Sequence, residues 1–320
     1  MISRRATDDE VDTWREHGWV LLDGLVGTED IDAAADDLRQ IFPTSTAYHA
    51  DPGGVTRQWR GGKVDPLEEF PWPDDGPGFR PEQHRWMATF PFGGAGLDRL
   101  CVHPSVVDFA ERALGDPDIR LYQAHASASY SGLTNYEQPL HIDRNHSWLP
   151  AVGSAPWWNL EGFLYLSDVH EDDNPTRLVS TRHSAHVGEP TPVIMPDTDP
   201  ALYRSEVRAP GVRGSYLAYR SDVFHRGAPF ESEGTARFVL ALAFKRASQD
   251  WIGYDQGQSD GNRPEWISFA EQATPRELAL FGFPPPGHPI WSRELLALLA
   301  VRYPRMDLGP WRERLPNGPG

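Results

Sequence analysis

The sequence predicts a mainly β protein with helical segments at both ends, and three observations point there. Segments near residues 120–130, 157–166 and 235–244 alternate or run apolar over strand lengths and are bounded by turn-forming residues. Thirty Pro and twenty-nine Gly are spread along the 320 residues, as many turns and long ordered loops require. Helix-start signals, in contrast, stand near the two termini. With 39% hydrophobic residues, 12 Trp, 10 Tyr and 14 Phe, the chain can bury one substantial core, so a single domain over residues 1–320 is expected. Residues 1–45 form its helical N-terminal support, 46–261 its β core with long loops, and 262–320 a helical C-terminal clasp.

Thr7-Asp8-Asp9-Glu10 is a capping-box pattern. A second helix starts near Thr28, with Ile31, Ala34, Ala35, Leu38 and Ile41 on one stripe before Pro43 stops it. Residues 44–98 mix Pro, Gly, Trp and charge, and read as ordered loops that cover the mouth of the β core. In the strand beginning near Arg120, Gln123, His125, Ser127 and Ser129 share one face, and Tyr122, Ala124, Ala126, Ala128 and Tyr130 the other. Alternation alone does not say which face is inside. Trp157 to Leu166 is a further strand, whose Trp157, Asn159 and Glu161 are candidates to line a pocket. In the strand at Thr235–Phe244, Arg237, Val239, Ala241 and Ala243 leave room on one side while Phe238, Leu240, Leu242 and Phe244 pack on the other. Thr274-Pro275-Arg276-Glu277 and Ser292 open two closing helices; the second runs to Tyr303, before Pro304.

Composition excludes several function classes. The one cysteine, Cys101, allows no internal disulfide, and the N-terminus lacks the apolar run of a signal peptide, so a cytoplasmic location is expected. No stretch approaches the ~20 apolar residues of a membrane span. There is no zinc-type Cys cluster and no phosphate-cradling Gly-rich loop. A net charge of −16 disfavours nucleic acid and anionic membranes, leaving a small molecule as the expected partner. The oligomeric state, monomer or homodimer, is left open by the sequence.

The chemistry-bearing pattern is His-x-Asp, which occurs at His49–Asp51, His141–Asp143 and His170–Asp172. His49 leads into a Pro-Gly-Gly turn and His170 opens an acidic run, both loop-like. His141 differs because it has a downstream His225 and Arg237 at strand-compatible positions. Side chains two apart on a strand share a face, so His141 and Asp143 can bind one metal together, and His225 completes a 2-His-1-carboxylate set with open positions. A hairpin through Gly227, Pro229 and Gly234 is expected to return beside the histidine strand and bring Arg237 next to the metal. A guanidinium there clamps a carboxylate in bidentate fashion.

On these residues the chain resembles the iron(II)- and 2-oxoglutarate-dependent dioxygenases, and among them the phytanoyl-CoA dioxygenase family. Trp14-Arg15-Glu16-His17-Gly18-Trp19-Val20-Leu21-Leu22 and the glycine-led strand from Gly214 to His225 resemble that family too, so the resemblance spans about residues 8–245. It implies a double-stranded β-helix of the jelly-roll type, Fe(II) held by His141, Asp143 and His225, and 2-oxoglutarate gripped by Arg237 with contacts from Gln123 and His125. It implies oxygen as co-substrate, succinate and carbon dioxide as products, and hydroxylation rather than halogenation, because Asp143 keeps the carboxylate that related halogenases replace. Where the family has a Pro-Gly-Ser-His turn this chain has Ser180-Thr181-Arg182-His183, which puts the lid region in doubt. No concentrated basic cluster suits the phosphates of CoA, so a small metabolite is the expected substrate. A metal-dependent hydrolase and a non-catalytic ligand-binding barrel are the alternatives.

Overall fold

Thr7 Oγ1 accepts the Glu10 N–H at 3.2 Å and Glu10 reaches back to the Thr7 N–H at 2.7 Å, closing the capping box that starts α1 (Asp8–His17). Gly18 ends that helix in the left-handed region at φ 87° and turns the chain into β1 (Trp19–Leu22). A Cβ at Gly18 would stand 2.6 Å from Val223 Cγ2, so both conformation and space require glycine. The computed structural model describes residues 2–59, 76–80, 83, 85–133, 136–143, 158–187, 193–249 and 264–315.

From there the chain runs through α2 (Thr28–Ile41), α3 (Ser45–Ala50), α4 (Pro52–Gln58), β2 (Met87–Thr89), α5 (Ala95–Leu100) and α6 (Pro104–Leu114) to β3 (Ile119–Tyr130). Next come β4 (Leu140–His141), β5 (Leu160–Tyr165), β6 (Arg177–Leu178), α7 (Thr181–Ser184), β7 (Val193–Ile194), α8 (Pro200–Arg204) and β8 (Val207–Arg208). After β9 (Tyr216–Arg220), β10 (His225–Arg226) and β11 (Ala236–Arg246) the described chain ends in α9 (Pro264–Gln272), α10 (Pro275–Ala279), α11 (Arg293–Arg302) and α12 (Gly309–Glu313). Trp157 and residues 60–75 of the expected loop cover lie outside the described residues.

Two antiparallel sheets result, one of six strands in the order β1-β9-β5-β11-β3-β2 and one of five in the order β7-β4-β10-β6-β8. Helices flank them, and more of the described residues are helical than extended, so the fold is mixed α/β rather than mainly β. The reason is that every strand of the smaller sheet is only two residues long, while short helices fill the connections. The long β3–β11 pairing sets the two faces of the larger sheet. Ala124, Ala126, Ala128, Leu240, Leu242 and Phe244 are buried with Trp14, Ile31, Leu97 and Phe109 from the helices. On the opposite face Val239 joins Tyr165, Leu217 and Tyr219 in a second cluster with Leu178 of the smaller sheet. Arg237, Val239, Ala241 and Ala243 pair with Ser129, Ser127, His125 and Gln123, so the small polar face of β3 looks between the sheets.

One expectation is corrected by this topology. β11 does not return beside the histidine strand: β10 pairs with β4 and β6, whereas β11 pairs with β3 and β5 in the other sheet. The turn through Gly227, Pro229 and Gly234 is a crossover between layers, because the apolar side of β11 has the helices, not the smaller sheet, to pack against. The terminal helices close a separate cluster around Trp291, Leu296 and Trp311, with Ser292 capping α11 as its position predicts.

Asp98 on α5 is buried, and burial pushes its carboxyl up to about 6 although the backbone N–H groups of Phe92 and Gly93 favour the charged form; Asp37 and Glu265 nearby add to the rise. A carboxyl whose pKa is raised on folding weakens the fold above that pKa and releases the strain as pH falls toward the unfolded value. Asp98→Asn is therefore expected to stabilise the protein by about 1–2 kcal/mol at pH 7.5, less than the two-unit shift implies because an amide accepts these bonds less strongly. The gain should shrink as pH falls from 7 to 4.5, read as the difference in urea midpoint between the two proteins. A pH-independent difference would show that Asp98 does not carry this titration.

Candidate metal centre

β4 and β10 are antiparallel neighbours with His141 directly opposite His225, which brings the two imidazoles to a centroid distance of 4.5 Å. His141 Nδ1 donates to the Pro139 carbonyl at 2.9 Å and His225 Nδ1 donates to the Val223 carbonyl at 3.1 Å. A carbonyl only accepts, so each ring carries its proton on Nδ1 and keeps the Nε2 lone pair for a metal. Strand β4 ends at His141, and Asp143 sits just beyond it rather than on the same strand. Its carboxylate still turns to the pair: Oδ1 lies 3.9 Å from His141 Nε2 and Oδ2 3.4 Å from His225 Nε2.

The three residues form the metal-capable cluster among the described residues, with all ligand atoms within 4.8 Å of one another. Two neutral nitrogens and one carboxylate oxygen on one side of a point leave the other side open, a donor set suited to a divalent transition metal such as iron. Phe79 lies edge-on against His141 at 4.8 Å, and Tyr219 packs on His225 at 4.5 Å while its hydroxyl donates to Asp143 Oδ2 at 3.3 Å. The fit to a 2-His-1-carboxylate ion is thus set by backbone register and by two histidine-to-carbonyl bonds.

The other two His-x-Asp copies lie outside this cluster. His49 on α3 holds Ser131, with Nε2 3.0 Å from its Oγ, and Asp51 caps α4 through the Gly54 N–H at 2.9 Å. His170 and Asp172 are exposed.

Arg237 is 6% exposed and lies on the inter-sheet face of β11. Its guanidinium donates to the Asn174 carbonyl and to Thr176 Oγ1, both neutral, and its Nε has no partner. No carboxylate pairs with it among the described residues. Asn174 is fully buried at φ 57°, and both its side-chain amide atoms lack partners. Thr176 immediately precedes β6, whose Leu178 is opposite His225, so Arg237 reaches from the larger sheet to the strand that flanks this histidine of the cluster. A buried cation with neutral neighbours and an orphaned donor fits a bound anion.

Gln123 and His125 share the inter-sheet face of β3 with Ser129, the cross-strand partner of Arg237. The register shifts at Ala243/Phe244, so the ladder steps over Tyr122 at a bulge. Tyr122 donates to Glu161, and Asn159 donates to the same Glu161 oxygen at 2.9 Å and to the Tyr122 hydroxyl at 2.7 Å. Asn159 and Glu161 are buried, and Glu161 stands opposite Tyr219 in the sheet. The sequence names Asn159 and Glu161 as pocket candidates, but the alternation of β3 places Tyr122 on the helix side, so sequence reasoning missed Tyr122 as their partner; a bulge has no sequence signature here. It also missed Tyr219 and Asn174, which became notable only through their neighbours.

No protein-family model matches the chain, and no curated protein matches it. Among solved structures it is similar to the non-heme alpha ketoglutarate dependent carbocyclase SnoK from nogalamycin biosynthesis, at 15% identity over 79% of this chain and 89% of that one, TM-score 0.54. It is also similar to the epimerase SnoN, whose structure holds Fe3+, alpha ketoglutarate and nogalamycin RO, at 16% identity over 75% of this chain and 83% of that one, TM-score 0.51. The chain thus shares the fold of these two solved enzymes, and it carries a 2-His-1-carboxylate cluster that could hold a metal ion.

Proposed function

We propose that this protein is an Fe(II)- and 2-oxoglutarate-dependent dioxygenase of the phytanoyl-CoA dioxygenase type that hydroxylates a small-molecule metabolite. The observation that carries the reading is the buried Arg237, which has no carboxylate partner among the described residues and lies on the same inter-sheet space as the His141, Asp143 and His225 cluster. A hydrolase needs the metal ligands but has no use for such an arginine. The two facing sheets are read as the jelly-roll core of that family, with its metal end marked by β4 and β10.

Within this scheme His141, Asp143 and His225 hold iron on one face and leave its other positions for co-substrate and oxygen. When bound, iron, 2-oxoglutarate and oxygen supply the oxidising chemistry, ending in a hydroxylated C–H bond, succinate and carbon dioxide. Arg237 holds the far carboxylate of 2-oxoglutarate, and Thr176 and Asn174 surround the guanidinium that does so. Gln123 and His125 contribute polar contacts along the same face. The apolar cluster of Val239, Leu217 and Leu178 keeps water from the space between the sheets.

His141→Ala, Asp143→Ala and His225→Ala should each sharply reduce Fe(II) affinity and abolish succinate release, while His49→Ala and His170→Ala should leave iron binding unchanged. Anaerobic iron titration of the five variants checks this. Normal iron binding by Asp143→Ala, with loss in the His49 or His170 variant, would move the metal elsewhere.

Arg237→Ala should bind iron nearly as the wild type does but lose 2-oxoglutarate affinity at least a hundredfold, since breaking a buried charge-assisted pair costs ~3–5 kcal/mol and ~1.4 kcal/mol is tenfold. The visible charge-transfer band of the anaerobic iron complex measures it. Unchanged affinity would remove 2-oxoglutarate from the assignment. Succinate release across a metabolite panel with Fe(II), 2-oxoglutarate and oxygen then finds the substrate.

A further inference from the structure

Tyr219 is 3% exposed and sits on β9 within the apolar cluster of Tyr165, Leu178, Leu217, Val223 and Val239. A phenylalanine would satisfy such surroundings, and a hydroxyl buried there is costly unless it is bonded. Among the described residues the hydroxyl has one hydrogen-bond partner, Asp143 Oδ2, at 3.3 Å. The same ring packs on His225 at 4.5 Å and on Phe163 at 5.9 Å. Tyr219 therefore touches two residues of the cluster, one through its ring and one through its hydroxyl. Across the sheet Glu161 is taken up by Tyr122 and Asn159.

We propose that Tyr219 is a positioning residue for the metal centre: its hydroxyl fixes one oxygen of Asp143, so that the carboxylate binds the metal through the other oxygen alone. The two histidines are oriented by their bonds to the Pro139 and Val223 carbonyls, and Tyr219 adds a hydrogen bond from the opposite sheet to Asp143, which lies beyond the end of β4. A carboxylate free to rotate can bind through both oxygens and take up a position that co-substrate or oxygen needs. The inference rests on reading His141, Asp143 and His225 as metal ligands.

The test uses Co(II) as the probe, added to the metal-free protein, with affinity read by titration and coordination by the visible absorption of the bound ion, which strengthens as coordination number falls. Wild type should bind and Asp143→Ala should not; if both bind alike, the metal reading itself fails and the proposal with it. Tyr219→Phe keeps the ring against His225 and should weaken Co(II) binding about tenfold to a hundredfold with an altered spectrum. Phe163→Leu, which disturbs only the packing of the ring, should stay close to wild type. Wild-type affinity and spectrum in Tyr219→Phe, or equal loss in Tyr219→Phe and Phe163→Leu, would overturn the proposal. Should Tyr219→Phe fail to fold, Tyr219→His keeps a ring with a donor; a wild-type-like spectrum from it supports the proposal, and a spectrum altered as much as that of Asp143→Asn overturns it.

Discussion

The pairing of β11 with β3 is the constraint on which the rest of the molecule depends. Eleven residues of β11 run antiparallel to β3 with one register shift, and side-chain alternation then assigns each residue to one of two environments. Alanines and large apolar residues go to the helices on one side. Arg237, Ser129, Gln123 and His125 go to the space facing the smaller sheet. A slip by one residue would send Arg237 into the helical core and Phe238 or Leu240 toward the smaller sheet, which is why the apolar face fixes the site as firmly as it fixes the fold.

The smaller sheet cannot stand on two-residue strands alone. Arg226 follows His225 and points the other way, where it is directly opposite Arg177, a like-charged pair that would repel. Glu206 stands between them, accepting from Arg226 Nε at 2.7 Å and from Arg177 at 2.8 Å. Burial opposes the Glu206 charge, but the hydrogen bonds from the two arginines outweigh it and hold the carboxyl below its usual range. Its contribution is therefore present at neutral pH and is lost as pH falls through that lowered value. His225 of the candidate metal cluster and the sheet-holding Arg226 are neighbours in sequence because a strand can serve two faces at once.

Orientation at the site comes from two layers. The histidines are set by bonds within two residues of themselves, to Pro139 and Val223. Arg237 and Tyr219 come from the larger sheet and reach across, Arg237 to the Asn174–Thr176 segment and Tyr219 to Asp143. The inter-sheet space is thus bounded by contacts that exist only when both sheets are in place. Among the described residues no helix is long and apolar enough to cross a membrane.

The sequence by itself determined what is local. The capping box at Thr7, the extent of α2 from Thr28 to Ile41, the two faces of β3 and β11 and the choice of His141–Asp143 over its two copies all follow from spacing, alternation and the turn residues around them. Tertiary structure decided what depends on partners distant in the chain. It put β11 in the opposite sheet from β10, because strand pairing rewards complementary faces rather than adjacency along the chain. It also made the fold more helical than strand composition suggests, turned Tyr122 to Glu161 through a bulge, and left Arg237 with no carboxylate among the described residues. Period-2 alternation says which residues share a face, but only packing of the second sheet and the helices says what that face meets.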